Sequence, residues 1–306
     1  MADAKDSKDF KGQDWPLLTA HQQSLFETMA EVGATKPDDR NMALISKALM
    51  LCPLPFRKTQ ERQIVSETRI PGGSITTIIT ALDDKILLPY GQDSFVLDAL
   101  SSQARSRKNP VITTDNLADL MRLLKMDEVG GADYKLFLAR IQRIGAFAMR
   151  IKRKGVLAVN ARIVDIDGSE FWSKNDVRKE KRGERKVIPG VVKLSDEYFA
   201  DLMNQYSAIP LNILDALSAN PTFYSLGKWL WWRSEVSETE TVVPWDDLLR
   251  ERGSKDSNIQ RFKAKVRSTL NLMGPSRPEI KCLFKATPKG LRVTPIDALP
   301  KLTENC

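Results

Sequence analysis

From Ser257 to Pro278 the chain contains no aspartate or glutamate, yet Arg261, Lys263, Lys265, Arg267 and Arg277 are spread through it. Ile259, Phe262, Val266, Leu270 and Met273 fall on one stripe at 3.6-residue periodicity, so the spacing predicts a helix over Ser257 to Met273 with one face to bury. Ser257, Arg261, Ala264, Lys265 and Ser268 lie on the opposite face, and Gln260, Arg267 and Asn271 on its flank. Arg, Lys, Gln, Asn and Ser are the side chains that bond base edges and phosphates in a DNA major groove. The small Ala264 in mid-face lets a helix come close. A merely solvated face mixes in acids for local pairing, and this one does not. The candidate DNA-contact set is therefore Ser257, Asn258, Gln260, Arg261, Lys265, Arg267 and Ser268, joined by Lys281 and Lys289 from the segment that follows. The helix residues would read bases. The later lysines, with Arg277, Lys285 and Arg292, would hold the flanking phosphates and make affinity salt-dependent.

The charge balance agrees. The net charge is +8, and the stretch from Glu251 to Arg292 accounts for all of it, with eleven Lys/Arg against three acids. A second basic run, Lys174 to Lys186, has seven Lys/Arg and three acids and reads either as a phosphate-following loop or as a solvated one. Arg105, Arg107 and Lys108 sit at a helix end, where cations also suit the dipole.

Other chemistries lack their residues. His21 is the single histidine, and Cys52, Cys282 and Cys306 are far apart, so no tetrahedral metal set is expected. The cysteines read as structural thiols. No phosphate-binding G-x-x-x-x-G-K-[ST] occurs, because Gly227-Lys228 lacks the upstream glycine and the following Ser or Thr. Asp165, Asp167, Glu170 and Lys174 could be forced into a nuclease site, but their place beside a two-residue turn reads better as turn chemistry. No catalytic residue, metal or cofactor is expected. With no long apolar run and a polar start, the chain is expected in the cytoplasm.

The elements that must position the helix follow from local signals. Gln63 to Ile70 and Ser74 to Thr80, two β-branched runs around Pro71-Gly72-Gly73, predict a hairpin. Leu88-Pro89-Tyr90-Gly91 introduces a helix to about Ser102. Val111 to Thr113 is a short strand, and Thr114 is expected to cap a helix holding Leu117, Leu120, Met121 and Leu124. A second helix spans Ala132 to about Phe147, followed by strands near Ala148 to Arg153, Val156 to Ile166 and Val187 to Leu194. Further on, helices are predicted over Asp196 to Asn204, from Pro210 to Ser218 and from Pro221 through the tryptophans at 229, 231 and 232. These aromatics read as core; helix spacing cannot put all three inside one domain, so one is expected to face the other domain or a partner. A strand at Thr241 to Val243, a helix at Trp245 to Arg250, the basic helix, and strands at Glu279 to Phe284 and Leu291 to Thr294 complete the pattern. Met42 to Leu51 is predicted as a helical turn or two stopped by Pro53 and Pro55. The resulting fold class is α+β: two tandem winged-helix domains, at 59–194 and 195–297, flanked by an N-terminal tail with short helices at 1–58 and a tail at 298–306.

Several short motifs are also similar to a known family. Leu88-Pro89-Tyr90-Gly91 with its helix, the Gly130-Gly131 break, Leu138-Ala139-Arg140-Ile141-Gln142-Arg143, Trp229-Leu230 and the Phe262 to Leu270 helix resemble plasmid-encoded RepA-type replication initiators. The resemblance covers about Gln60 to Thr294; residues before Lys58 have no counterpart. It implies binding to repeated origin sequences (iterons) in double-stranded DNA, opening of adjacent AT-rich DNA, and recruitment of host replication proteins such as a helicase. It further implies that the C-terminal domain makes the principal sequence-specific contacts. The N-terminal domain would touch DNA or form a homodimer that represses its own gene. A transcriptional repressor, or a nuclease or integrase, is the alternative reading.

Overall fold

The β-branched runs on either side of Pro71 form a long hairpin. In a computed structural model, β2 (Gln63–Ile70) pairs antiparallel with β3 (Gly73–Ala81), from Gln63 opposite Thr80 to Ile70 opposite Gly73. The structure describes residues 42–52, 54–70, 73–124, 131–153, 156–165, 190–252, 258–276 and 280–298. β1 (Met42–Ser46) and α1 (Lys47–Leu51) precede the hairpin. The elements after it are α2 (Asp93–Arg107), β4 (Val111–Thr114), α3 (Leu117–Leu123), α4 (Gly131–Gly145), β5 (Phe147–Arg153), β6 (Val156–Arg162) and β7 (Gly190–Lys193). The second half contains α5 (Asp196–Asn204), β8 (Tyr206–Pro210), α6 (Leu211–Ser218), α7 (Pro221–Val236), β9 (Thr241–Pro244) and α8 (Trp245–Glu251). It closes with α9 (Ile259–Met273), α10 (Ile280–Leu283), β10 (Phe284–Ala286), β11 (Gly290–Val293) and a 3-10 turn at Ile296–Ala298. This is an α+β fold: packed helices with small antiparallel sheets.

Among the described residues four sheets organise it, in the orders β2-β3-β5-β6, β4-β7, β1-β8 and β10-β11-β9. The four-stranded sheet buries Ile75, Ile79, Phe147, Met149 and Ile151 on one face. The other face carries a row of directly opposed residues, Val65, Ile78, Arg150 and Asn160. Beyond β6 the chain continues along β7, with Val164 bridging Leu194.

The structure corrects the expected elements in three places. Met42–Ser46 is a strand rather than the start of a helix, because β8 lies alongside it from Met42 opposite Pro210 to Ser46 opposite Tyr206. The helical turn begins only after Ser46, whose Oγ accepts from the Ala48 amide at 3.1 Å. Residues Ile280–Leu283 form a helical turn where a strand was expected, and pairing with β11 starts at Phe284. Asn116, not Thr114, caps α3, with Oδ1 accepting from the Asp119 amide at 2.9 Å.

α7 is the helix around which the two halves assemble. Trp229, Trp231 and Trp232 are 0, 7 and 2% exposed, so all three are covered. A helix buried on one side could not hide them all, but α7 packs against α6, α9 and β8 within its own half and against α1 from the other. Gly227 permits the closest of these approaches, since a Cβ there would lie 2.2 Å from Leu217 Cδ1. Polar groups cross the same seam. Lys228 Nζ meets Asp98 Oδ2 of α2 at 2.5 Å, with both side chains buried. Arg252 donates to the Met50 carbonyl and to Ser225 Oγ. Cys52, buried beside this seam, is a free thiol pushed up to about 12 by its burial. Cys282 departs from the expected set of free thiols, since it is disulfide-bonded. Among the described residues no helix is long and apolar enough to cross a membrane.

Candidate nucleic-acid interface

α9 starts where Asn258 Oδ1 accepts from the backbone amides of Gln260 and Arg261, at 2.9 and 3.1 Å. That cap satisfies two of the orphan donors at the helix N-terminus. Phe262, Val266, Thr269, Leu272 and Met273 are buried against α6, α7 and α8, while Ile259 and Leu270 are half-buried beside them. The predicted stripe is thus shifted toward Thr269 and Leu272. Thr269 is accommodated there by donating its hydroxyl to the Lys265 carbonyl at 2.9 Å.

The outward stripe shifts with it. Gln260, Arg261, Ala264, Arg267 and Asn271 are exposed, whereas Lys265 and Ser268 are half-buried. The amide and guanidinium groups therefore project furthest, with Ala264 at their centre. Arg261 and Lys265 lie toward one side and line a cleft of about 800 Å³ shared with residues 54–65. On the other side Lys263 Nζ sits 5.3 Å from the centre of the Trp245 ring. Trp245 Nε1 in turn donates to the Thr287 carbonyl at 2.9 Å, which ties the β10–β11 turn to the start of α8.

That turn is short and braced. The Thr287 amide donates to the Gly290 carbonyl at 2.9 Å, and the Gly290 amide donates back to Thr287 Oγ1 at 3.1 Å. Lys285 and Lys289 are exposed on it, as a phosphate-gripping role requires. Arg292 lies 3.6 Å from Glu240, so part of its charge is already balanced. Among the expected contact residues, the structure brings Asn258, Gln260, Arg261, Lys265, Arg267 and Ser268 onto one helix with Lys289 on the neighbouring turn. Ser257 and the side chain of Lys281 lie outside the described residues, as do Arg277 and the basic run Lys174 to Lys186. Asp167, Glu170 and Lys174, weighed above as a nuclease set, are also outside them; Asp165 pairs with Lys193 at 3.0 Å.

The first half runs helix, strand, helix, helix, strand, the order of the second half without its short α10, but its second helix of the pair is built differently. The arginines of α4 turn inward. Arg143 grips the buried Asp93 through Nε and Nη2 at 2.7 and 2.9 Å, and stacks 4.6 Å over the Tyr90 ring. Arg140 Nε lies 3.7 Å from the same carboxylate. These two arginines fix α4 to the start of α2 and are spent on structure. Among the exposed cations of this half, Arg107 and Lys108 end α2, and Arg150 and Arg162 stand on the outer sheet face beside the half-buried Lys152. The sequence reading missed both facts, since nothing local marks Asp93 as the partner of arginines about fifty residues away. The alternation in Phe147-Ala-Met-Arg-Ile-Lys-Arg153 was the available signal for the outer face.

No family model and no curated protein matches the chain. Solved structures similar to it include two of RctB. One, of RctB domains 2-3 (RctB-155-483), is 13% identical and covers 83% of this chain and 99% of that one, at a TM-score of 0.48. The other, selenomethionine derivatives of domains 2 and 3 of RctB, is 15% identical with coverage of 71% and 79% and a TM-score of 0.45. At this level the likeness assigns no function, which rests on the residues themselves.

Proposed function

We propose that this protein is a sequence-specific DNA-binding replication initiator made of two winged-helix modules, with α9 as the helix that reads the major groove. The observation that carries the reading is the outward face of α9: Gln260, Arg261, Ala264, Arg267 and Asn271, with no acid among them. Side chains of this kind offer the bidentate contacts that discriminate bases, and a small central residue allows close approach. The order α7, β9, α8, α9, α10, β10, β11, with β11 between β10 and β9, supports a winged helix in which β10–β11 is the wing. Lys285 and Lys289 then supply salt-sensitive phosphate contacts. The resemblance of Leu88 to Gly91, Leu138 to Arg143 and the Phe262 to Leu270 helix to plasmid RepA-type initiators supports the finer role. In that role the protein binds repeated origin sequences, opens adjacent DNA, recruits host replication proteins and, as a homodimer, represses its own gene. The chemistry is binding; no catalytic step is assigned to the chain, which acts in the cytoplasm.

Footprinting the purified protein on the DNA flanking its own gene tests this. The expected result is protection of several direct repeats spaced by about two helical turns, roughly 21 bp. A single protected palindrome would replace the initiator by a dimeric transcriptional repressor. Absence of protection at modest salt would remove the DNA-binding reading altogether.

A further inference from the structure

The major groove admits one helix, so the two strands that border it must pass along the two sides of that helix. On one side of α9 stand Lys263, Trp245 and the wing. The other side, that of Arg261 and Lys265, opens on the cleft of about 800 Å³. Its far wall is the irregular segment between α1 and β2, which carries Arg57, Lys58 and Thr59. Arg57 and Lys58 are exposed and have no ion pair or hydrogen bond among the described residues, whereas Glu61, the acid of this segment, is partnered.

The segment is held in place, although it belongs to no helix or sheet. Leu54 is buried at its start, and the Pro55 carbonyl accepts from the Gly91 amide at 2.9 Å. At its end Arg62 Nη1 donates to the Ile86 carbonyl at 2.7 Å. Between these anchors the Glu61 amide donates to Thr59 Oγ1 at 3.2 Å, which shapes the turn. Two uncompensated cations on a pre-ordered backbone bind a fixed anion at little further cost in chain entropy. The cleft also lies beside Gln63 and Val65, which head the rows leading across the sheet to Arg162 and Arg150.

We infer that residues Arg57 to Thr59 form a second phosphate clamp, opposite the wing across α9, and that it holds the backbone of the same duplex that α9 reads. The inference rests on the proposed DNA-binding role and adds a contact that belongs to neither winged-helix hairpin. Arg57 and Lys58 supply the charge and Thr59 a hydroxyl. Since phosphates carry no sequence information, the clamp sets affinity and orientation, not base preference.

The test measures binding of the full chain to two duplexes of equal length, one from the DNA flanking its gene and one of random sequence, over a series of salt concentrations. Each phosphate contact contributes about −0.9 to the slope of log K against log salt. The R57A/K58A double variant should therefore flatten the slope by about 1.8 on both duplexes, leaving the ratio of the two affinities unchanged. R57K should restore its share, and the thermal unfolding midpoint should stay that of the parent chain. An unchanged slope in R57A/K58A, alongside weakened binding in R267A, would overturn the clamp while the reading of α9 stands. A shift in the affinity ratio would overturn it as a phosphate contact, because the segment would then be reading bases. If the parent chain binds neither duplex in a salt-dependent way, the clamp and the DNA-binding reading fall together.

Discussion

The Lys228–Asp98 pair shows how far a single residue can be from its reason in the sequence. Burial raises the Asp98 carboxyl above its ordinary value, and the neighbouring Lys228 works against that rise. Removing one partner of such a pair leaves a buried charge uncompensated, whereas replacing both with apolar groups does not. K228M should therefore destabilise the protein by about 3–5 kcal/mol in urea unfolding, with D98L/K228M recovering most of the loss. A double variant as unstable as the single one would show that the pair does not behave as a unit. In the sequence Lys228 stood out only as the lysine after Gly227 in an incomplete phosphate loop, because its partner lies 130 residues earlier. Arg140 and Arg143 were equally opaque. The exposed stripe of α9 was largely legible because its signal is local: a helical period, a run without acids and one alanine.

At the scale of elements, position was legible wherever neighbouring residues decided it and illegible where a distant strand did. The β2–β3 hairpin, α5 with its Ser195 cap, and α7 opening on Pro221 all lie close to where propensity and turn chemistry put them. Met42 to Ser46 is a short apolar run compatible with helix or strand, and β8 settles it from over 160 residues away. The β10–β11 hairpin likewise depends on a neighbour. A Cβ on Gly290 would lie 2.2 Å from the Val243 carbonyl oxygen and 2.8 Å from its carbon, both backbone atoms of β9. Gly290→Ala should therefore push β11 off β9 and loosen the turn that carries Lys289. Faster amide exchange at Leu291 and Val293 and a weaker salt dependence of DNA binding are expected, with base preference retained. Exchange as slow as in the parent chain would mean that the sheet absorbs the methyl group.

The whole molecule is joined by a polar seam as well as by α7. The Arg69 amide donates to Glu251 Oε1 at 3.2 Å, and Arg233, which donates to the Arg69 carbonyl, lies 4.0 Å from the same carboxylate. Burial is the main influence on Glu251 and raises its carboxyl from 4.5 to about 7, with Arg233 opposing the rise. The folded chain thus keeps a proton that the unfolded chain releases near 4.5, so this group's contribution to stability is fully present below about 4.5. It is lost as pH rises through about 7. Unfolding free energy measured from pH 4.5 to 7.5 should contain a descending component that E251Q abolishes, since glutamine still accepts from the Arg69 amide. An identical pH profile in E251Q would place that component elsewhere. No single segment announces this seam, because its members come from β2, α7 and α8. The burial of α7 between the halves has an optical consequence. Trp229, Trp231, Trp232 and Trp245 are all sheltered from water, and the first three lie where the halves meet. Their ultraviolet emission is expected to be blue-shifted while the halves stay joined and to move to the red where parting exposes them. The protein thus carries an unlabelled gauge of whether its two halves stay together.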